Sequence, residues 1–356
     1  MPTLRIDLTK LRSNAQKLID ISAADGIRLA FVTKVFCADK EMVAAIEDLN
    51  FDYLADSRLD NIERYPETDR KKLLLRLPSP SEAARVVRLC DTSLNSERAT
   101  LELLAKEAAS AGRVHGVVLM IDLGDLREGI FYKDTQKIEE TVEYILSQPS
   151  LSLLGLGTNL TCYGSVIPTA ETLQKLIDLA DRLRKQYSIE LPFISGGNSS
   201  SIYLLTRNSM PQEITNLRIG EALLRGEETA YQQHFANLDA DVVTLEAELI
   251  EVQRKPSVPE GEIGLNAFGE RFVPEDIGEH RRGIVALGRQ DTDHTGLVPL
   301  DEGVAILGAS SDHLILDLEK ASPSLKVGDT LRFSMSYSAL LSGFTSSFVC
   351  REYVRT

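Results

Sequence analysis

The chain has 356 residues, 43% of them hydrophobic, and a formal net charge of -14. That length exceeds one barrel and leaves room for a second, smaller unit. The acidic balance argues against a nucleic-acid or anionic-membrane partner, since either calls for a basic face, and its simplest meaning is solubility.

Residues 1–10 alternate apolar and polar side chains without the apolar core of a signal peptide, and no later apolar run approaches the roughly 20 residues of a membrane span. From residue 28, short strand-like runs recur at 28–33, 52–55, 72–77, 91–94, 114–122, 152–157, 191–194 and 216–219. Most are separated by stretches with apolar residues three and four apart: 40–49, 81–89, 97–111, 135–146 and 170–187. This alternation implies βαβ units and a parallel sheet. Eight such runs suit an α/β fold of the (β/α)₈, TIM-type barrel class, with a doubly wound open sheet as the competing architecture.

Near residue 230 the alternation stops. Runs with β character then follow at 241–251, 256–264, 283–287, 297–299, 304–307, 314–318 and 330–334, separated by Pro and Gly segments. The expected division is a barrel over 1–235 and a C-terminal, mainly-β domain over 236–356. Cys37, Cys90, Cys162 and Cys350 lack CxxC spacing, and five histidines are too sparse for an evident metal cluster. Reduced thiols, a cytoplasmic location and no metal are the expectation.

The runs end in polar residues: Lys34, Asp56, Arg76, Asn95, Asp125 with Arg127, Asn159, Ser195 to Ser201, and Arg218. In a barrel the carboxyl ends of all strands meet on one face, so these scattered positions converge. Lys34 offers a primary amine, suited to an imine with a carbonyl compound or to an anion. The run Gly196, Gly197, Asn198, Ser199, Ser200, Ser201 precedes an apolar segment, so backbone N–H groups and hydroxyls there can grip a phosphate. Arg218, Ile219 and Gly220 form a second glycine turn after the next strand, and the loops after strands seven and eight are the usual phosphate site of a barrel.

An imine-forming lysine with a phosphate cradle suggests pyridoxal 5'-phosphate. At these residues the sequence resembles the alanine racemase family of fold-type III enzymes, along nearly the whole chain. Thr33 to Cys37, Gly157 to Gly164, Ser195 to Ser201 and Leu217 to Glu221 look most like its ornithine racemase branch. The resemblance implies that Lys34 binds the cofactor covalently and is one of two racemisation bases. Arg218 would hydrogen-bond the pyridine nitrogen and keep it unprotonated, which favours proton exchange at Cα over decarboxylation. Ser199, the backbone at Gly220 and Glu221, and Tyr337 would contact the phosphate. Arg127 would hold the substrate carboxylate, a task suited to a planar guanidinium.

Departures from the family pattern matter too. Met120 stands where alanine racemases carry a modified lysine supporting that arginine, Asn159 replaces a histidine packed on the cofactor ring, and Ala38 replaces a tyrosine. The family's second base is a tyrosine from the β domain of the partner subunit, yet 241–336 contains no tyrosine. In the equivalent loop, Gly288 to His294, His294 is a candidate base and Asp291 a candidate base or grip for a basic side chain; Cys37 and Cys162 are weaker candidates. The space left by Ala38 and the acids Asp122, Asp125, Glu128, Asp291 and Asp293 would suit a cationic side chain. The expectation is therefore a racemase of a basic amino acid, first ornithine, working as a head-to-tail homodimer on a small molecule. A non-catalytic pyridoxal-phosphate carrier and a fold-type III decarboxylase are the alternatives.

Overall fold

The computed structural model describes residues 1–271 and 275–355. The chain divides into two units, one of Thr9–Ala240 and one joining Met1–Leu8 to Asp241–Thr356. Strand β1 (Thr3–Asp7) falls in the second unit.

In the first unit, the β-prone runs form β2 (Arg28–Val32), β3 (Tyr53–Asp56), β4 (Lys71–Leu74), β5 (Thr92–Asn95), β6 (His115–Asp122), β7 (Ile130–Phe131), β8 (Leu151–Gly157), β9 (Phe193–Ser195) and β10 (Asn216–Ile219). Parallel pairing runs β5, β4, β3, β2, β10, β9, β8, β6, and β5 also pairs with β6. That last pairing closes an eight-stranded TIM-type barrel and overturns the open-sheet alternative. Short β7 only flanks β6, matching Ile130 to Ile121.

Alternate residues fill the barrel: Ala30, Val32, Tyr53, Ala55, Leu73, Leu94, Val118, Met120 and Phe193 form one buried cluster. Fully burying a large apolar side chain contributes about 1.5–3 kcal/mol, so this column is a main source of the barrel's stability. Gly155 lies in register with Phe193. A Cβ at Gly155 would sit 1.8 Å from the Phe193 carbonyl oxygen, so only glycine lets β8 approach β9 this closely.

The surrounding helices follow their apolar spacing. Helix Thr135–Ser147 buries Ile138, Thr141, Val142 and Ile145, and Asp134 caps it by accepting from Lys137 N at 3.1 Å. Helix Ala170–Tyr187 is capped by Thr169 and ends at Ser188 in the left-handed region, φ 52°. The helix expected over 40–49 stops at Ala44. Beyond it, Ile46 N bonds Val43 O and Leu49 N bonds Ile46 O, a tighter winding that leads into β3.

The second unit contains β11 (Val243–Pro256), β12 (Glu279–Val285), β13 (Leu297–Pro299), β14 (Ala305–Ala309), β15 (Leu314–Asp317), β16 (Thr330–Met335) and β17 (Cys350–Val354). Its sheet is antiparallel in the order β13, β16, β11, β12, β15, β14. Along β11, Val243, Leu245, Ala247 and Leu249 alternate inward. β1 adds to the same sheet, antiparallel to β11 and parallel to β17.

Two expectations are corrected. The division at 235/236 assigned residues 1–8 to the barrel, whereas β1 pairs Leu4 with Leu245 and with Arg351; local alternation reveals a strand but not its distant partner. The run 256–264 is strand only at Pro256. Its second proline, Pro259, has no N–H for a ladder, which favours the irregular path taken there.

Candidate active site

Lys34 follows β2 after the single residue Thr33. It is half-buried and opens the 3₁₀ turn Lys34–Phe36. Cys37 and Ala38 then both adopt left-handed backbone, φ 52° and 53°, which costs about 1–2 kcal/mol for each non-glycine residue. The bonds Cys37 N to Lys34 O and Ala38 N to Thr33 O, both 3.3 Å, hold this reversal, and Asp39 caps the next helix through Met42 N. Beside the lysine, Thr33 Oγ1 donates to Asp56 Oδ2 at 2.6 Å and lies 2.8 Å from the Tyr65 hydroxyl. Asp56 also accepts from Arg58 N and Asn61 Nδ2; its burial raises its pKa above the usual carboxylate value. The lysine is thus carried by a turn fixed on both sides.

Arg218 stands on β10 in register with Ala30 of β2, and so faces the barrel interior. It is 3% exposed. Its guanidinium donates to Ser195 Oγ, to the Thr158 carbonyl at 2.7 Å and to Asn159 Oδ1 at 2.6 Å. Burial lowers its pKa to about 10, so it remains a cation at neutral pH. Ser195 Oγ passes the chain on to Asn216 Oδ1 at 2.8 Å. Gly157, inward on β8, leaves the space that Arg218 and Met120 occupy.

The expected phosphate loops are adjacent. Asn198 caps the turn Ser199–Ser201 by accepting from Ser200 N, and Ser199 Oγ accepts from Ala222 N at 3.2 Å. That bond ties the loop after β9 to the start of helix Glu221–Arg225. Gly220 precedes this helix with Val32 3.1 Å from where its Cβ would be. Ser200 Oγ and Thr158 Oγ1 are buried with no hydrogen-bond partner among the described residues. An unpartnered buried hydroxyl in a serine-rich loop, a strand-end amine and an interior guanidinium fit a phosphorylated aldehyde cofactor. Ser199 Oγ accepts from Ala222 N and retains its own O–H as a donor for a phosphate, and the neighbouring Ser200 adds a second hydroxyl.

Glu221 is an ionisable side chain that the motif alone did not single out. Burial raises its carboxyl to about 6, against the opposing pull of Arg225, 3.1 Å away, and of Lys34; the Glu227 charge pushes further upward. A raised carboxyl pKa favours the protonated form of the folded state. Stability from this group is therefore full below about 4.5 and is lost as pH rises through about 6. We expect a loss of about 2 kcal/mol across that window, absent in Glu221→Gln, when urea unfolding is followed from pH 4 to 7. Parallel pH profiles for the two proteins would contradict this.

Arg127 lies on the loop between β6 and β7. Asp122 Oδ1 accepts from Gly124 N and Leu126 N, and Gly129, φ 124°, passes so near Asp122 N that a Cβ would lie 2.6 Å from it. Arg127 is bound side-on by Glu128 through Nε and Nη2. Glu128 Oε1 also accepts from Asn159 Nδ2, completing a run Arg127, Glu128, Asn159, Arg218. Asp125 is fully buried and its carboxylate accepts from the backbone of Cys162, Tyr163 and Val166. The expectation that mouth acids await a cationic side chain is therefore not supported by Asp122 or Asp125, whose carboxylates bond backbone N–H groups. Desolvation raises the Cys162 thiol, which disfavours it as a base.

Asp291, His294 and Tyr337 lie in the β unit. Asp291 is buried, accepts from Gly288 N at 2.7 Å and is raised by desolvation. Asp293 caps the turn His294–Gly296 through Thr295 N. His294 is lowered by desolvation and by Arg289. Tyr337 is half-buried at the first turn of helix Tyr337–Thr345, capped by Ser336. Among the described residues no group of His, Cys, Asp and Glu could hold a metal ion, and no helix is long and apolar enough to cross a membrane.

Comparison with known proteins adds three relatives. The family model for the alanine racemase N-terminal domain matches residues 6–227. An ornithine racemase of Acetoanaerobium sticklandii is 45% identical over 351 residues, covering 99% of both chains. A lysine racemase of Thermotoga maritima is 37% identical over 354 residues, covering 99% of this chain and 98% of that one. Among solved structures, an alanine racemase from Bartonella henselae with covalently bound pyridoxal phosphate has a TM-score of 0.74 at 14% identity, covering 99% of each chain. At that identity the likeness establishes the fold.

Proposed function

The chain belongs to the alanine racemase family, and from that premise we propose that it is a pyridoxal 5'-phosphate-dependent racemase interconverting L- and D-ornithine. The observation that carries the substrate is the 45% identity to an ornithine racemase across both units. The full-length match also favours an enzyme over a carrier, because a carrier of this type lacks the second unit.

Lys34, Asn159, Ser199, Ser200, Arg218, Gly220, Glu221 and Tyr337 would hold the cofactor. When bound, it supplies an aldehyde for the substrate amine and a conjugated ring that stabilises negative charge at Cα. The Lys34 amine removes or returns the Cα proton on one face. Arg218 donates a hydrogen bond but keeps its proton, since a guanidinium is a far weaker acid than a pyridinium, so the ring nitrogen would stay unprotonated, which restrains electron withdrawal and favours simple proton return. Arg127 receives the substrate carboxylate. His294, whose pKa is lowered by desolvation and by Arg289, is shifted toward the neutral form that can take a proton on the opposite face, with Asp291 as the other candidate for that role or for holding the side-chain ammonium. The reading includes a head-to-tail homodimer, and sedimentation equilibrium showing an active monomer would overturn that part.

The test is chiral chromatography after incubating the cofactor-loaded protein separately with L-ornithine, L-lysine and L-alanine. D-ornithine should form with the highest kcat/KM. A higher value for lysine would reassign the substrate, and no D-product from any of them, with the cofactor absorbance present, would favour the carrier.

A further inference from the structure

We propose that Glu128 is the positioning residue for Arg127, orienting its guanidinium for the substrate carboxylate and tying it through Asn159 to Arg218. The inference rests on the reading of Arg127 as the carboxylate-binding residue and adds what holds it in place. Met120 cannot do so: it is apolar, fully buried and part of the barrel's hydrophobic column.

The geometry is specific. Glu128 Oε2 accepts from Arg127 Nε, and Oε1 accepts from Nη2. This side-on fork locks the guanidinium plane, which a single contact would leave free to rotate. It occupies one edge of the five-donor group and leaves the end-on edge, Nη1 with Nη2, for a second planar acceptor. Among the described residues, Nη1 has no hydrogen-bond partner. Arg127 and Glu128 line one open cleft of about 530 Å³ with Leu77, Ser96, Glu97 and Tyr163, which places the pair beside space of ligand size.

Glu128 is not an incidental surface partner. Its side chain is only 14% exposed, against 42% for Arg127. Burial works to raise its pKa, but the Arg127 hydrogen bonds and charge outweigh it and hold the carboxylate ionised. Oε1 also accepts from Asn159 Nδ2, and Asn159 Oδ1 accepts from Arg218 Nη2 at 2.6 Å. Asn159 uses both ends of its amide, so the orientation of Arg127 is registered against a residue rooted in the barrel interior. One carboxylate between two guanidinium groups also offsets the repulsion that would otherwise spread them.

The test uses the cofactor-loaded protein and two probes that lack a primary amine and so cannot react: pentanoate for the carboxylate site, and N,N-dimethylbutylamine as a cation without a carboxylate. Affinities are measured by calorimetry in Glu128→Gln, Glu128→Asp and Arg127→Ala. Glu128→Gln should weaken pentanoate by about tenfold or more and leave the amine within about twofold, as expected when a guanidinium is misaligned rather than removed. Glu128→Asp should recover part of the loss. Arg127→Ala should weaken pentanoate at least as much, with no further loss in the double variant. Unchanged pentanoate binding in Glu128→Gln beside a weakened Arg127→Ala would overturn the inference alone. Unchanged binding in Arg127→Ala would overturn the reading of Arg127 and the inference with it. Loss of both probes in Glu128→Gln would also overturn it, because orientation of Arg127 predicts selectivity for the carboxylate. An unchanged melting temperature and cofactor absorbance establish that the variants fold.

Discussion

Lys34→Ala is expected to lower kcat for ornithine by at least about 10³-fold, because under the proposed function it removes both a covalent anchor and a proton-transfer group, and a positioned acid or base alone contributes about 10²–10⁴-fold. The substitution should be well tolerated by the fold. Lys34 is half-buried at a turn whose shape is set by the backbone bonds of Thr33, Cys37 and Ala38 and by the Asp39 cap. Racemisation is read by chiral chromatography, and the visible absorbance of the bound cofactor is recorded on the same samples. A variant that retains a tenth of the activity, or keeps the absorbance of a lysine-bound cofactor, would remove Lys34 from both roles.

Arg218→Ala should be costly in a different way. The guanidinium is buried and cross-ties Ser195 on β9, the Thr158 carbonyl after β8 and Asn159, while itself rooted in β10. Removing it leaves three buried acceptors without a donor, each an expense of about 1–3 kcal/mol before relaxation, and withdraws the cation that Glu128 and Asn159 face. We expect a stability loss of about 3 kcal/mol by urea unfolding, together with loss of racemisation. Arg218→Lys should recover only part of the stability, since a single ammonium cannot reproduce a planar fork across several acceptors. If Arg218→Ala unfolds within about 0.5 kcal/mol of the parent, the interior network does not brace the barrel mouth, the range of an ordinary surface substitution.

The legible parts of the site were those carried by backbone pattern. Lys34 and Arg218 could be placed because each ends or occupies a strand in a regular alternation, and in a closed barrel those ends converge whatever the loops do. Ser199 and Gly220 were legible as small residues before a helix start. Glu128 was legible only as one of several acids at the mouth and Ser200 only as part of a serine run, while the side chain of Glu221 was not singled out. Nothing local distinguishes Glu128 from a surface partner of Arg127 until Asn159, 31 residues later, is seen to reach it. Asp125 illustrates the opposite error: its charge suggested a subsite, but three backbone N–H groups take up the carboxylate.

The succession of strands and helices, the change of architecture near residue 230 and the placement of Lys34 after one strand and of Arg218 on another followed from the chain's own periodicity. Side-chain period is a local property, fixed by backbone geometry over a few residues. Closure of the barrel, the transfer of β1 to the β unit and the bridge from Arg127 to Arg218 were decided only in three dimensions. Each depends on which distant groups meet: β5 with β6, Leu4 with Leu245 and Arg351, and Glu128 with Asn159. Such pairings are chosen by hydrogen-bond satisfaction and packing across the whole fold, and no short window of sequence contains both partners.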